Sequence, residues 1–201
     1  MPLNTIDPPI AAYEVVRSTV ANLAAQAGFG TPALRRADPA ALAISTPHRM
    51  AVLALNRIQE AKDLRSVVDF KGWRFLVHHQ TTIVAAADAV EVGTNEYRLG
   101  QLNEGPFVNG TETAIRRAEG HDAIVKGRFA PVFLLVPAIY VAALWLEDQQ
   151  ADNDLVMAMP PVANDFVAFN PMPTGAFLTG LKRLAAQVPA ATEKAKNRSG
   201  G

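Results

Sequence analysis

The chain contains no cysteine, which excludes disulfides, thiolate nucleophiles and zinc–thiolate sites together. Net charge is missing too: 19 Lys and Arg balance 19 Asp and Glu, so no overall field gathers nucleic acid or anionic lipid. The basic pairs Arg35-Arg36, Arg116-Arg117 and Lys182-Arg183 are scattered and read as solvated helix faces. Also absent are an internal repeat, a long linker run, a Gly-x-Ser-x-Gly turn around Ser18, Ser45, Ser66 or Ser199, and an HExxH spacing. The opening residues MPLNTIDPP have neither the basic region nor the apolar core of a secretory signal, so a cytoplasmic setting is expected. No cofactor motif is present and no cofactor is expected.

What the chain does have is apolar residues, at 49% against 19% charged, enough for a core in 201 residues. One domain over residues 1–188 is expected, followed by a polar tail, 189–201. The tail ends Gly200-Gly201, as ubiquitin-like modifiers do, but the chain is long for a modifier and the same pair is a common cloning remnant.

The longest uncharged run is Phe129 to Leu146, FAPVFLLVPAIYVAALWL. A membrane span needs about twenty apolar residues, and this run is shorter and holds Pro131 and Pro137. A helix starting at Pro137 would set Glu147 and Asp148 against the negative end of its dipole. The favoured reading is a strand buried on both faces, with Pro131 at its start and Pro137 at a bulge or bend. The following EDQQADND reads as a solvated hairpin tip, without the glycine or terminal glutamate of a calcium loop, and Leu155–Met159 as the antiparallel partner.

Along the rest of the chain, Asp7-Pro8-Pro9 opens a helix striped by Ile10, Tyr13, Val16, Val20 and Leu23 and ended at Gly28. Thr46-Pro47 precedes HRMAVLALNRIQEA, where helical spacing is favoured over strand alternation. WRFLVHH from Trp73, IVAAADAVEV and Tyr97–Leu102 read as strands. Asn103 to Gly110 reads as loop, with Thr111 capping a helix that ends at Gly120. After a proline-rich stretch anchored by Phe166 and Phe169, Thr174 is expected to cap a last helix carrying Phe177, Leu178 and Leu181, closed by Pro189. The order of elements predicts an α+β fold: an antiparallel or mixed sheet with N-terminal, middle and C-terminal helices packed on it.

Candidate chemistry is sparse. His78-His79 is the most reactive-looking pair, but strand neighbours point to opposite faces, so a shared metal ion is not expected. An enzyme or metal-binding reading would use His78 or His79 with Glu104, helped by His48, His121 or Asp88. The glycine-bearing segment Gly105 to Thr111, including Asn109 and Gly110, offers backbone donors at a helix start for a small ligand. Asn109 also heads a glycosylation sequon, expected to be unused inside a cell.

The composition favours a non-enzymatic binding or assembly protein. It acts through protein contacts, with a protein partner or a second copy of itself and with neither nucleic acid nor a membrane span. Phe133, Tyr140 and Trp145 of the apolar run are the candidate interaction residues. The alternative is a small-ligand or metal-binding α+β enzyme using His78, His79 and the Gly105–Gly110 loop.

Overall fold

A computed structural model describes residues 3–188. The chain runs α1 (Ile10–Ala25), α2 (Pro32–Arg36), β1 (Leu42–Val52), α3 (Leu55–Ile58), β2 (Asp69–His79), β3 (Thr82–Gly93), β4 (Glu96–Asn103), α4 (Pro106–Glu119) and α5 (Asp122–Val125). It continues with β5 (Phe129–Val136), β6 (Val141–Asp148), β7 (Leu155–Met159), β8 (Pro171–Pro173) and α6 (Thr174–Ala186). The eight strands form one mixed sheet in the order β4-β3-β2-β1-β5-β6-β7-β8. Every neighbouring pair is antiparallel except β1–β5, which is parallel over Arg49–Val52 and Val132–Leu135. The fold is α+β, as the order of elements predicts.

Alternation along each strand divides the core between two faces. Trp73, Phe75 and Val77 of β2 meet α1, while Val132, Leu134 and Val136 of β5 share the same face of the sheet with Phe177, Leu178 and Leu181 of α6. On the other face, Phe133, Leu144 and Met157 pack with Ala114 and Ala118 of α4, and Leu76 and Ala86 with Val108. Gly110 is the contact point of α4 with β7: a Cβ there would lie 3.3 Å from that of Met159.

Several local expectations are corrected. The uncharged run is a hairpin of two strands, β5 and β6, joined by a single 3-10 turn at Pro137–Ile139. Pro131 lies inside β5, opposite Leu146, and does not start the strand. The favoured helix after Thr46-Pro47 is instead strand as far as Val52, and only Leu55–Ile58 is helical. Thr46, at φ 51°, and Pro47 fall at a register shift between Ser45 and His48, so the proline sits in a bulge where no ladder bond is lost.

Helix α4 starts at Pro106, not after Thr111, so the expected Gly105–Gly110 loop is largely first turn; Thr111 is buried and its hydroxyl donates to the Phe107 carbonyl (2.7 Å). Thr174 is the first residue of α6 and makes no cap; the capping position is Pro173. The expected tail and Pro189 lie outside the described residues. Among these residues, no helix is long and apolar enough to cross a membrane.

The acidic segment after β6 is exposed at its tip, residues 149–153, as expected, but not at its ends. Asp148 and Asp154 are buried. Asp154 accepts from Arg65 Nε (2.9 Å) and Nη2 (2.6 Å), from Trp145 Nε1 (3.0 Å) and from the Asp148 amide (2.8 Å). Burial pushes its pKa up, but those donors and the guanidinium charge outweigh burial and hold it below the usual carboxylate value. This cluster pins the β6–β7 connection to the segment after α3.

Candidate functional site

Four polar side chains form a row across the α4 face, one from each strand of the first meander. His48 on β1 is in register with Arg74 on β2, Arg74 with Asp88 on β3, and Asp88 with Gln101 on β4. His48, Arg74 and Asp88 are all buried in an otherwise apolar layer. A buried charge needs a partner and satisfied hydrogen bonds. Arg74 supplies both: Nε donates to Asp88 Oδ1 (2.7 Å) and Nη2 to Oδ2 (2.8 Å). Gln101 Nε2 donates to the same Oδ2 (2.8 Å), and the guanidinium carbon lies 3.6 Å from the centre of the Phe133 ring.

One corner of that guanidinium is unspent. Arg74 Nη1 makes no hydrogen bond with any described residue, yet it is not among the sealed, unpartnered polar atoms. Arg74 lines a cleft of about 320 Å³ between the sheet, the start of α4 and the β5–β6 turn. Arg74 and Phe133 form the floor, Gln101 and Glu104 one side, and Phe107 and Tyr140 the aromatic rim. The two rim rings sit 5.1 Å apart and tilted by 45°.

The backbone around the cleft is held in uncommon conformations. Gly105, at φ 118°, turns the chain from the end of β4 into α4, a geometry that disfavours any residue with a side chain. Tyr140 is left-handed at φ 51° with 59% of its surface exposed. A bulky residue held there costs about 1–2 kcal/mol relative to ordinary backbone, and its ring is presented at the cleft instead of being buried.

His48 closes the far end of the row. Its Nδ1 donates to the Thr46 carbonyl (2.7 Å), leaving Nε2 as a buried lone pair without a partner. Burial drives its pKa down to about 4, against the raising effect of that hydrogen bond, so the ring is neutral at physiological pH.

The residues singled out from sequence divide between this cleft and elsewhere. His78 Nε2 lies 2.5 Å from Ser45 Oγ, and His79 Nε2 accepts from the Asp38 amide (3.2 Å), so the two rings have separate partners at the end of β2. Glu104 lines the cleft, but one oxygen is committed to capping α2, accepting from the amides of Ala33 (2.7 Å) and Leu34 (3.2 Å). The histidines are therefore not brought together with Glu104. Asn109 is exposed on α4 while Gly110 and Thr111 are buried in it, and Gly105 is the turn before it; of the expected ligand loop, Pro106, Phe107 and Val108 line the cleft, and none of the candidates Gly105, Asn109, Gly110 and Thr111 does.

Phe133 and Trp145, candidate contacts for another protein, are 1% and 0% exposed and belong to the chain's own core. Tyr140 alone of the three is on the surface. Among the described residues, no group of three or more His, Asp and Glu is arranged to hold a metal ion.

Arg74, Gln101 and Phe107 were not singled out from sequence, although a signal for the ion pair exists. Arg74 and Asp88 are the single charges of the apolar stretches 73–77 and 83–90, of opposite sign and nearly equidistant from the turn at Gln80-Thr81. A hairpin brings such positions opposite one another; a register shift after Val77 offsets the count by one.

No protein-family model matches this chain, and neither the curated proteins nor the solved structures compared with it give a match.

Proposed function

We propose that the chain binds a small ligand in the cleft at Arg74. The observation that carries this reading is a buried, ion-paired guanidinium that lines a cleft and keeps one nitrogen, Nη1, without a hydrogen bond to any described residue. Buried ion pairs add little to stability over apolar residues of the same shape, so packing alone gives no reason for Arg74. Clefts of about 300 Å³ and more, apolar with a few convergent polar groups, are the usual form of a small-molecule site. The strained, exposed Tyr140 at the rim supports the same reading, because unfavourable backbone geometry concentrates where side chains are placed for function. The test is a thermal-shift screen of the intact chain against small metabolites, repeated on Tyr140→Gly and Phe107→Ala. Hits that stabilise the parent and lose their effect in both variants support the cleft; hits indifferent to both variants place binding elsewhere and refute it.

A second reading, contact with another copy of the chain, is supported by the unequal ends of the sheet. At one end β8 is three residues long and contains two prolines, which blunt an edge. At the other, β4 runs for eight residues without proline, and its outer edge pairs with no other described strand. Glu96 and Arg98 lie on one side of β4, so an antiparallel copy centred on Tyr97 would set each opposite the other's charge. Light scattering on the separated protein decides: a dimer reduced to monomer by Leu99→Pro supports this reading, and a monomer at every concentration removes it.

A further inference from the structure

Resting on the cleft reading, we infer that the ligand is an uncharged, single-ring compound carrying a carboxamide or lactam edge, a carbonyl beside an N–H. The hydrogen-bond arithmetic at the floor of the cleft gives this class. Arg74 has only donors, and Nη1 is the one nitrogen left free. Gln101 has its amide nitrogen fixed by Asp88 Oδ2, which leaves its carbonyl oxygen as the free acceptor. Because Arg74 Nη2 and Gln101 Nε2 meet on the same carboxylate oxygen, each at 2.8 Å, the free donor and the free acceptor belong to adjacent groups. Together they match a ligand edge that accepts at one atom and donates at the next.

Charge excludes the simpler partner of an arginine. The guanidinium is already neutralised by Asp88, and Glu104 adds a second carboxylate to the same cleft. With one cation and two anions there, a ligand carboxylate or phosphate meets net repulsion, whereas a neutral amide meets none. Size and shape supply the ring. A volume of about 320 Å³ is at the small end for ligand sites, and the Phe107–Tyr140 pair gives one aromatic wall, on which a planar ring packs face or edge.

The experiment compares benzamide, methyl benzoate and benzoate, three molecules with one ring and one carbonyl, together with uracil, by isothermal titration and saturation-transfer NMR on the full chain. Benzamide and uracil are expected to bind and to displace each other. Methyl benzoate, which lacks the N–H, and benzoate, which is charged, bind at least about tenfold more weakly. Gln101 is exposed, so Gln101→Ala folds; it lowers benzamide affinity to that of methyl benzoate and leaves methyl benzoate unchanged. If methyl benzoate or benzoate binds as tightly as benzamide, or if Gln101→Ala leaves benzamide binding intact, the amide-edge assignment is wrong while the cleft remains a binding site. If none of the four compounds binds, the amide-edge inference is wrong, and the cleft reading is judged separately by the metabolite screen on the parent, Tyr140→Gly and Phe107→Ala.

Discussion

Arg74 and Asp88 face each other across β2 and β3 with two parallel hydrogen bonds, 2.7 and 2.8 Å long, and neither side chain is more than 4% exposed. Their pairing is the point at which the sheet's interior and the cleft share one group. The geometry is bidentate, which fixes the guanidinium plane and thereby where the free Nη1 corner points.

Removing one partner of this pair strands the other in an apolar layer. Asp88→Ala is expected to lower stability by about 3–5 kcal/mol in urea denaturation, whereas Arg74→Met combined with Asp88→Leu recovers most of the loss. The double variant is also expected to lose ligand binding while keeping the fold. Equal destabilisation by the single and double changes would show that the pair is not the source of the cost.

The neutral, buried His48 makes the fold acid-sensitive. In the folded chain the ring stays unprotonated down to about pH 4, while in the unfolded chain it takes up its proton near the ordinary value of about 6.5. Between those values the unfolded state binds more protons, so stability falls as the pH is lowered. At pH 5 the loss from this one group is on the order of 2 kcal/mol relative to pH 7. Denaturation of His48→Leu at both pH values should show that increment gone; an unchanged pH dependence would clear His48 of the effect.

Tyr140→Gly separates stability from binding. Glycine relieves the left-handed backbone but gives up the contact with Phe107, and the two effects nearly cancel, for a net change under about 1 kcal/mol. Ligand affinity, by contrast, is expected to fall by about tenfold, since an aromatic contact contributes about 0.5–1.5 kcal/mol. A large drop in the denaturation midpoint without any change in affinity would make Tyr140 a structural residue only.

Gly72 on β2 has no room for a side chain against β3. Its φ is 137°, and a Cβ would lie 2.0 Å from the Ala89 carbonyl oxygen of β3. Gly72→Ala is therefore expected to cost about 3 kcal/mol or more, through both strain and displacement of the β2–β3 ladder. A variant with parental stability in chemical denaturation would mean that the strand relaxes at no cost.

Much of the architecture was legible from periodicity. The helix α1, the three strands β2, β3 and β4, the α6 stripe and the pairing of β7 with the apolar run all follow from spacing and turn residues, although of the expected α1 stripe Val16 and Val20 are buried while Ile10 and Tyr13 are exposed. What escaped was decided by contacts that spacing does not encode. Met50, Leu53, Arg57, Ile58 and Ala61 keep helical intervals, yet β1 is held as strand because it lies between β2 and β5, and that tertiary demand overrides local preference.

The start of α4 was hidden because glycine and proline signal both loops and helix N-termini, and only the φ of Gly105 distinguishes them here. The cleft was partly visible, through Glu104, Phe133 and Tyr140. Its chemistry was not, because Arg74, Asp88 and Gln101 meet only after three strands are in register.

That register also bears on the order of assembly. The sheet consists of two up-and-down halves sewn together along one parallel seam, and the residues meeting at the seam, such as Arg49 and Val132, are roughly eighty positions apart in the chain. Loop closure makes such a junction slow compared with the hairpins on either side. A ribosome-bound chain could thus complete β2–β4 while β1 waits with one edge bare. Pulse-labelled hydrogen exchange would reveal this as protection of the β2–β3 amides before that of Leu53, whose N–H reaches the Leu135 carbonyl across the seam. Simultaneous protection would mean that the halves close as one.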